Sequence, residues 1–129
     1  MTPMDEFDKI LPPEITAKAT RSGNEWVLPL TEANQAIHLA SEHGIAVLGA
    51  EVFRILDNGL GVENYSGYAF EHEGDWPGYV RQNNEAALRF IEEHPVGQGY
   101  GYILTTVSEA EFKVQQMSAP VRMSMKPPL

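Results

Sequence analysis

Cysteine is absent from the 129 residues of this chain. That absence removes disulfides, thiol catalysis and the thiolate-rich zinc sites together, and leaves packing as the source of stability. Basic residues are scarce, with 9 Lys and Arg against 18 Asp and Glu and a formal charge of -9 at neutral pH. Phosphate backbones and anionic lipids are gripped by clustered Lys and Arg, so neither nucleic acid nor a membrane surface is an expected partner. A basic partner is electrostatically easier, although surface acidity also serves solubility. No apolar run approaches the roughly 18 residues of a spanning helix. Asp5, Glu6 and Asp8 stand where a signal peptide would carry basic and apolar regions, so a cytoplasmic protein is expected. Internal repeats and low-complexity tracts are also missing.

What remains is ordinary globular composition, 43% apolar and 21% charged, in a length that suits one domain. The expectation is a single domain over residues 1–129, with an organised core from about 24 to 117 and extended or frayed ends. Pro3, Pro12 and Pro13 punctuate the beginning, and the stretch from Pro120 to Leu129 offers little to pack. Arg21-Ser22-Gly23-Asn24 is a turn signal, and Trp26-Val27-Leu28 before Pro29 fits a short strand at a sheet edge.

The interior is more explicit. Thr31, placed as an N-cap, precedes a helix over residues 32–43 that Gly44 ends, and Ala33, Ala36, Ile37 and Ala40 share its apolar face. Ile45 to Leu56 is a β-branched apolar run, the expected central strand. Asp57-Asn58-Gly59 turns it toward a returning strand between Leu60 and Phe70. Asp75 caps a second helix, which tolerates Pro77 in its first turn and carries Trp76, Tyr79, Val80, Ala87, Phe90 and Ile91 at helical spacing as far as His94-Pro95. Gly99 to Val107 reads as a further strand, and Ser108 with Glu111 matches a capping box opening a short helix with Phe112 and Met117. One hairpin without a βαβ rhythm gives an α+β fold, a small mainly antiparallel sheet packed against two or three helices.

The chemistry-bearing residues form no familiar constellation. Glu71-His72-Glu73-Gly74-Asp75 concentrates carboxylates around an imidazole, but adjacent residues cannot all face one ion, and neither HExxH nor EF-hand spacing is present. No metal and no cofactor are expected. His38 and His43 miss the spacing of helical zinc ligands, and His94 suits a helix C-terminus. No serine lies in a G-x-S-x-G elbow or an S-x-x-K motif. The glycines from Gly97 to Gly101 follow a helix and precede a strand, the reverse of a phosphate-cradling order. Paired carboxylates remain as an alternative, with Glu51 on the central strand and Glu71 or Glu73 brought near it.

Ile45-Ala46-Val47-Leu48-Gly49-Ala50-Glu51-Val52, the segment from Tyr65 to Phe70, and Trp76-Pro77-Gly78-Tyr79-Val80 leading to Ala86-Ala87-Leu88-Arg89-Phe90-Ile91 together resemble the immunity protein 40 family of bacterial polymorphic toxin systems. The likeness spans about residues 26–107, with Gly49-Ala50-Glu51 in place of the family's Gly-Gly-Asp. It implies a non-enzymatic bacterial protein that binds and neutralises a cognate toxin. On that reading Glu71, Glu73, Asp75 and Trp76 are the expected contact residues, joining negative charge, a loop and an aromatic anchor. A small hydrolase or ligand-binding domain built on carboxylates around a pocket is the alternative, and a homo-oligomer is compatible with either.

Overall fold

The 11-residue run Ile45–Ile55 is the axis of the structure, a computed structural model that describes residues 5–22, 25–57, 61–67 and 74–114. The elements in order are α1 (Asp5–Ile10), α2 (Pro13–Thr16), β1 (Thr20–Ser22), β2 (Glu25–Val27), α3 (Leu30–Glu42), β3 (Ile45–Ile55), β4 (Gly61–Ser66), α4 (Trp76–Glu93) and β5 (Tyr100–Ser108). A last helix, α5, is described over 109–114. β3 lies at the centre of a three-stranded antiparallel sheet of order β4-β3-β5, and β1 with β2 forms a separate two-stranded sheet. The fold is α+β with small antiparallel sheets, as the element order predicts.

β3 is central because it is apolar on both faces, with Ile45, Ala46, Val47, Ala50 and Val52 all buried. The hairpin to β4 is present and its flanks pair Ile55 with Gly61, while Asn58, Gly59, Tyr68 and Phe70 lie outside the described residues. The register slips between Val52, opposite Tyr65, and Phe53, opposite Glu63, so Asn64 is an extra residue on the β4 side. A second slip between Val47 and Gly49 leaves Leu48 without a partner on β5.

The helices cover the sheet through the stripes their sequences carry. Ala33, Ala36, Ile37 and Ala40 of α3 are fully buried, and their small side chains bring the helix close. The start of α3 differs from expectation. It begins at Leu30, Pro29 takes the N-cap position without a side-chain bond, and Thr31 falls inside the first turn. The cause is tertiary: Leu28 and Tyr102 exchange backbone hydrogen bonds of 2.7 and 2.8 Å, so the chain is still in a sheet pairing two residues before the helix. The end follows expectation, with Gly44 at φ 68 immediately after the His43 C-cap.

α4 spans Trp76–Glu93, and Gly78 N–H donates to Asp75 Oδ1 at 2.9 Å. Its other end is closed from outside the helix. The Tyr102 hydroxyl donates to His94 O at 2.6 Å and to Ile91 O at 3.4 Å, satisfying carbonyls that a helix end leaves open. Burial, chiefly, pushes that phenol up to about 12. The capping box at α5 is formed, with Ser108 N–H donating to Glu111 Oε1 at 2.8 Å and Glu111 N–H to Ser108 Oγ at 3.0 Å.

The N-terminal segment corrects the expected start of the core. Phe7, Leu11 and Ile15 are buried in the same cluster as Ala36, Val47 and Ile91, so packing begins well before residue 24. Pro12 and Pro13 instead sit at a helix start, Pro13 opening α2 behind Pro12, while Pro3 lies outside the described residues. Gly101 has a different function. A Cβ there would lie 2.6 Å from Val27 Cγ1 and 2.9 Å from Leu28 O, so only glycine lets the segment after β2 press onto β5.

Candidate functional site

Among the described residues two places gather polar side chains, and they do opposite things. The first joins α4 to the start of β3. Asn84 is 2% exposed, and its amide behaves as a detached peptide group. Its Oδ1 accepts from Val47 N–H at 2.7 Å, and its Nδ2 donates to Ile45 O at 3.0 Å and to Ser41 Oγ at 2.8 Å. Ile45 and Val47 point the same way along the strand, so one side chain satisfies both where β4 does not reach. Asn83, fully buried, donates to Tyr79 O at 2.9 Å. Sequence reasoning missed both asparagines. The available signal was position: Asn84 follows Val80 by four residues and precedes Ala87 by three, inside the apolar stripe.

Trp76 belongs to the same region. Its indole N–H donates to Gly44 O at 2.8 Å, and its ring lies 5.4 Å from both Tyr79 and Phe112. The residue is half-buried, with one edge lining a groove of about 480 Å³ between α3 and α4 beside His38, Ser41, Arg81 and Glu85. Asp75 is exposed, but one carboxylate oxygen is committed to the α4 cap. Glu71, His72 and Glu73 lie outside the described residues. Of the four expected contact residues, the structure therefore places Asp75 and Trp76 side by side at the start of α4, each already holding a backbone group.

The second place is the β4 end of the sheet. Glu51, on β3, feels the charge of Glu63 on β4 and of Glu25 on β2. Its carboxyl is raised above the ordinary carboxylate value, first by burial, then by Glu63 and Glu25. The ion pairs Lys18–Glu32, at 4.0 Å, and Glu109–Lys113, at 3.8 Å, lie elsewhere. Tyr65, opposite Val52, points the other way, toward α4. Its ring lies 6.2 Å from Phe90 and 5.5 Å from His94, and those two are 4.6 Å apart. β4 thus carries Glu63 toward the face of Glu51 and Tyr65 toward the other.

His38 and His43 are both exposed, and His43 serves as the C-cap residue of α3. His94 Nδ1 lies 3.1 Å from Phe90 O, a helix-end bond it makes when that nitrogen carries the proton. Glu51 keeps company with Glu63 and Glu25, above a shallow recess of about 340 Å³ that also includes Ser66 and Thr105. Among the described residues no group of three or more His, Asp or Glu is arranged to hold a metal ion. No helix among them is long and apolar enough to cross a membrane. Comparison of the chain with family models, with curated proteins and with solved structures found no match.

Proposed function

We propose that the protein is a non-enzymatic immunity protein that binds and neutralises a basic bacterial toxin. The observation that carries this reading is the grouping of Glu25, Glu51 and Glu63 at one end of the sheet, in a chain of net charge -9, where burial first, and then Glu63 and Glu25, make the ionised Glu51 costly. A cationic surface brought against those carboxylates relieves that cost, and complementary charge speeds encounter and selects the partner. The resemblance to the immunity protein 40 family supports the same reading through its motifs in β3 and α4. Glu71, Glu73 and Asp75 are proposed to extend the contact surface. Trp76 acts in it as a wall, since its N–H is already given to Gly44.

The test is co-expression with the toxin encoded by the neighbouring gene, read as growth rescue and as co-purification. Reversing Glu71 and Glu73 to Lys together with Asp75→Asn, which keeps the α4 cap while removing its charge, is expected to weaken binding about tenfold or more. Unchanged binding by that variant removes the loop from the interface, and a toxin that never co-purifies with the unmodified chain overturns the function itself.

One observation favours a second reading, a small-ligand or hydrolytic site using carboxylates. The raised Glu51 carboxyl borders the recess lined by Leu48, Gly49, Ser66 and Thr105. Stabilisation by a small ligand in a thermal-shift screen, abolished by Glu51→Gln, would favour it over the toxin-binding reading.

A further inference from the structure

We propose that the outer edge of β4 is a docking edge for an extended basic segment of a protein partner, added to the sheet as another strand with Lys or Arg over Glu63 and Glu51. This rests on the reading of the chain as a binding protein and gives that binding a surface and a mode.

The two edges of the sheet are treated differently. At the outer side of β5, Leu28 and Tyr102 exchange both of their backbone hydrogen bonds, and α1 packs against the strand. Among the described residues no strand lies outside β4. Gly61 N–H reaches Ser22 Oγ at 3.4 Å, and every residue from Val62 to Ser66 is exposed. An open edge invites pairing with whatever strand arrives, and proteins restrain it with short strands, bulges and charge.

β4 has all three restraints, and the third is selective. A second copy paired edge to edge brings a net charge of -9, and another Glu63, toward Glu63. Like charges across a new pairing oppose it, whereas Lys or Arg at the same positions is attracted. The acids that guard the edge against self-association therefore choose the sign of its partner. The alternate side chains of β4 supply the remaining contact. Val62 is 43% and Tyr65 42% exposed, apolar surface that an added strand covers while its backbone pairs with the outward N–H and C=O groups of β4.

The test uses the full chain and a synthetic peptide of alternating Lys and Val, eight residues long. Three versions are compared: the plain peptide, the same peptide with alternate backbone amides N-methylated, and one with Glu for Lys. Binding is read by fluorescence anisotropy, and amide hydrogen exchange is followed across residues 61–66. The plain peptide is expected to bind in a salt-dependent manner and to protect amides of β4. N-methylation and Glu63→Lys are each expected to weaken it about tenfold, and the acidic peptide is expected not to bind. Circular dichroism and melting of the Glu63→Lys protein establish that it remains folded, as its exposure leads one to expect.

Equal binding of the plain and N-methylated peptides without protection of β4, or no binding at all, overturns the docking edge. Toxin co-purification and growth rescue separate this outcome from the broader reading. If both persist while β4 remains unprotected in the complex, the edge fails and the immunity function stands. If the unmodified protein captures no toxin, the function fails first.

Discussion

The two halves of β3 meet the same problem and solve it in opposite ways. A strand flanked on one side by β5 has a second edge to satisfy. From Ile45 to Val47 that edge is closed by the Asn84 amide, and around it lie Ala46, Tyr79, Val80 and Val107, all buried. From Glu51 to Ile55 it is closed by β4, beyond which no strand lies among the described residues and whose Glu63 and Tyr65 are exposed. The first solution spends polar groups on stability, the second leaves them facing solvent. Glu51, raised first by burial and then by Glu63 and Glu25, belongs to the second kind.

The largest expected effect comes from breaking the first solution. Asn84→Ala strands Val47 N–H and Ile45 O in a buried site, at about 3 kcal/mol or a melting temperature lower by roughly 10 °C. A loss below about 1 kcal/mol in chemical denaturation would mean that water replaces the amide and that the two halves of β3 are less different than they look.

Gly101→Ala tests the covered edge of β5 and is expected to cost about 2 kcal/mol, since the added methyl meets Val27 and the Leu28 carbonyl. The same substitution at Gly97, where a Cβ meets nothing within 4 Å, is the control and should change stability little.

Tyr102→Phe removes the bonds to His94 O and Ile91 O, for about 1 kcal/mol. It also changes the alkaline limb. The phenol is raised in the folded state from 10.0 to about 12, so the folded protein holds its proton more tightly than the unfolded chain. Its contribution is complete below pH 10 and is lost as pH rises from there through about 12. Urea unfolding between those values should show a falling stability that the Phe variant lacks.

The smallest effect has the opposite sign. Because the folded protein raises Glu51 above its ordinary value of 4.5, ionising that carboxyl works against folding at neutral pH. Glu51→Gln should therefore melt slightly higher at pH 7, with the gain shrinking as pH falls through the Glu51 titration. A lower melting temperature at pH 7 would show that the ionised carboxyl is not a net cost to the fold.

Much of the fold was legible because its signals are local. α4 begins and ends where Asp75 and His94-Pro95 put it, the Ser108–Glu111 box forms as written, and the apolar run after Gly44 is the central strand. The places where reading failed are places where a distant group intervenes. Thr31 lost its cap position because Leu28 is tied to Tyr102, and the proline-marked N-terminus packs because Phe7, Leu11 and Ile15 find partners in α3 and β5. Asn84 was invisible as a splint because its partners lie 37 to 43 residues away.

For the candidate site the division is sharper. The loop that concentrates acids in the sequence, Glu71 to Asp75, owes its prominence to adjacency along the chain. The group the structure assembles, Glu25, Glu51 and Glu63, comes from three different strands and has no sequence signature. The sequence by itself determined the charge, the absence of thiols, and where the major helices and strands run, because composition, caps and periodicity act within a few residues. The tertiary structure alone decided which carboxylates share a field and which described strands form the two sides of the sheet, because both depend on the register of strands that are neighbours in space and strangers in the chain.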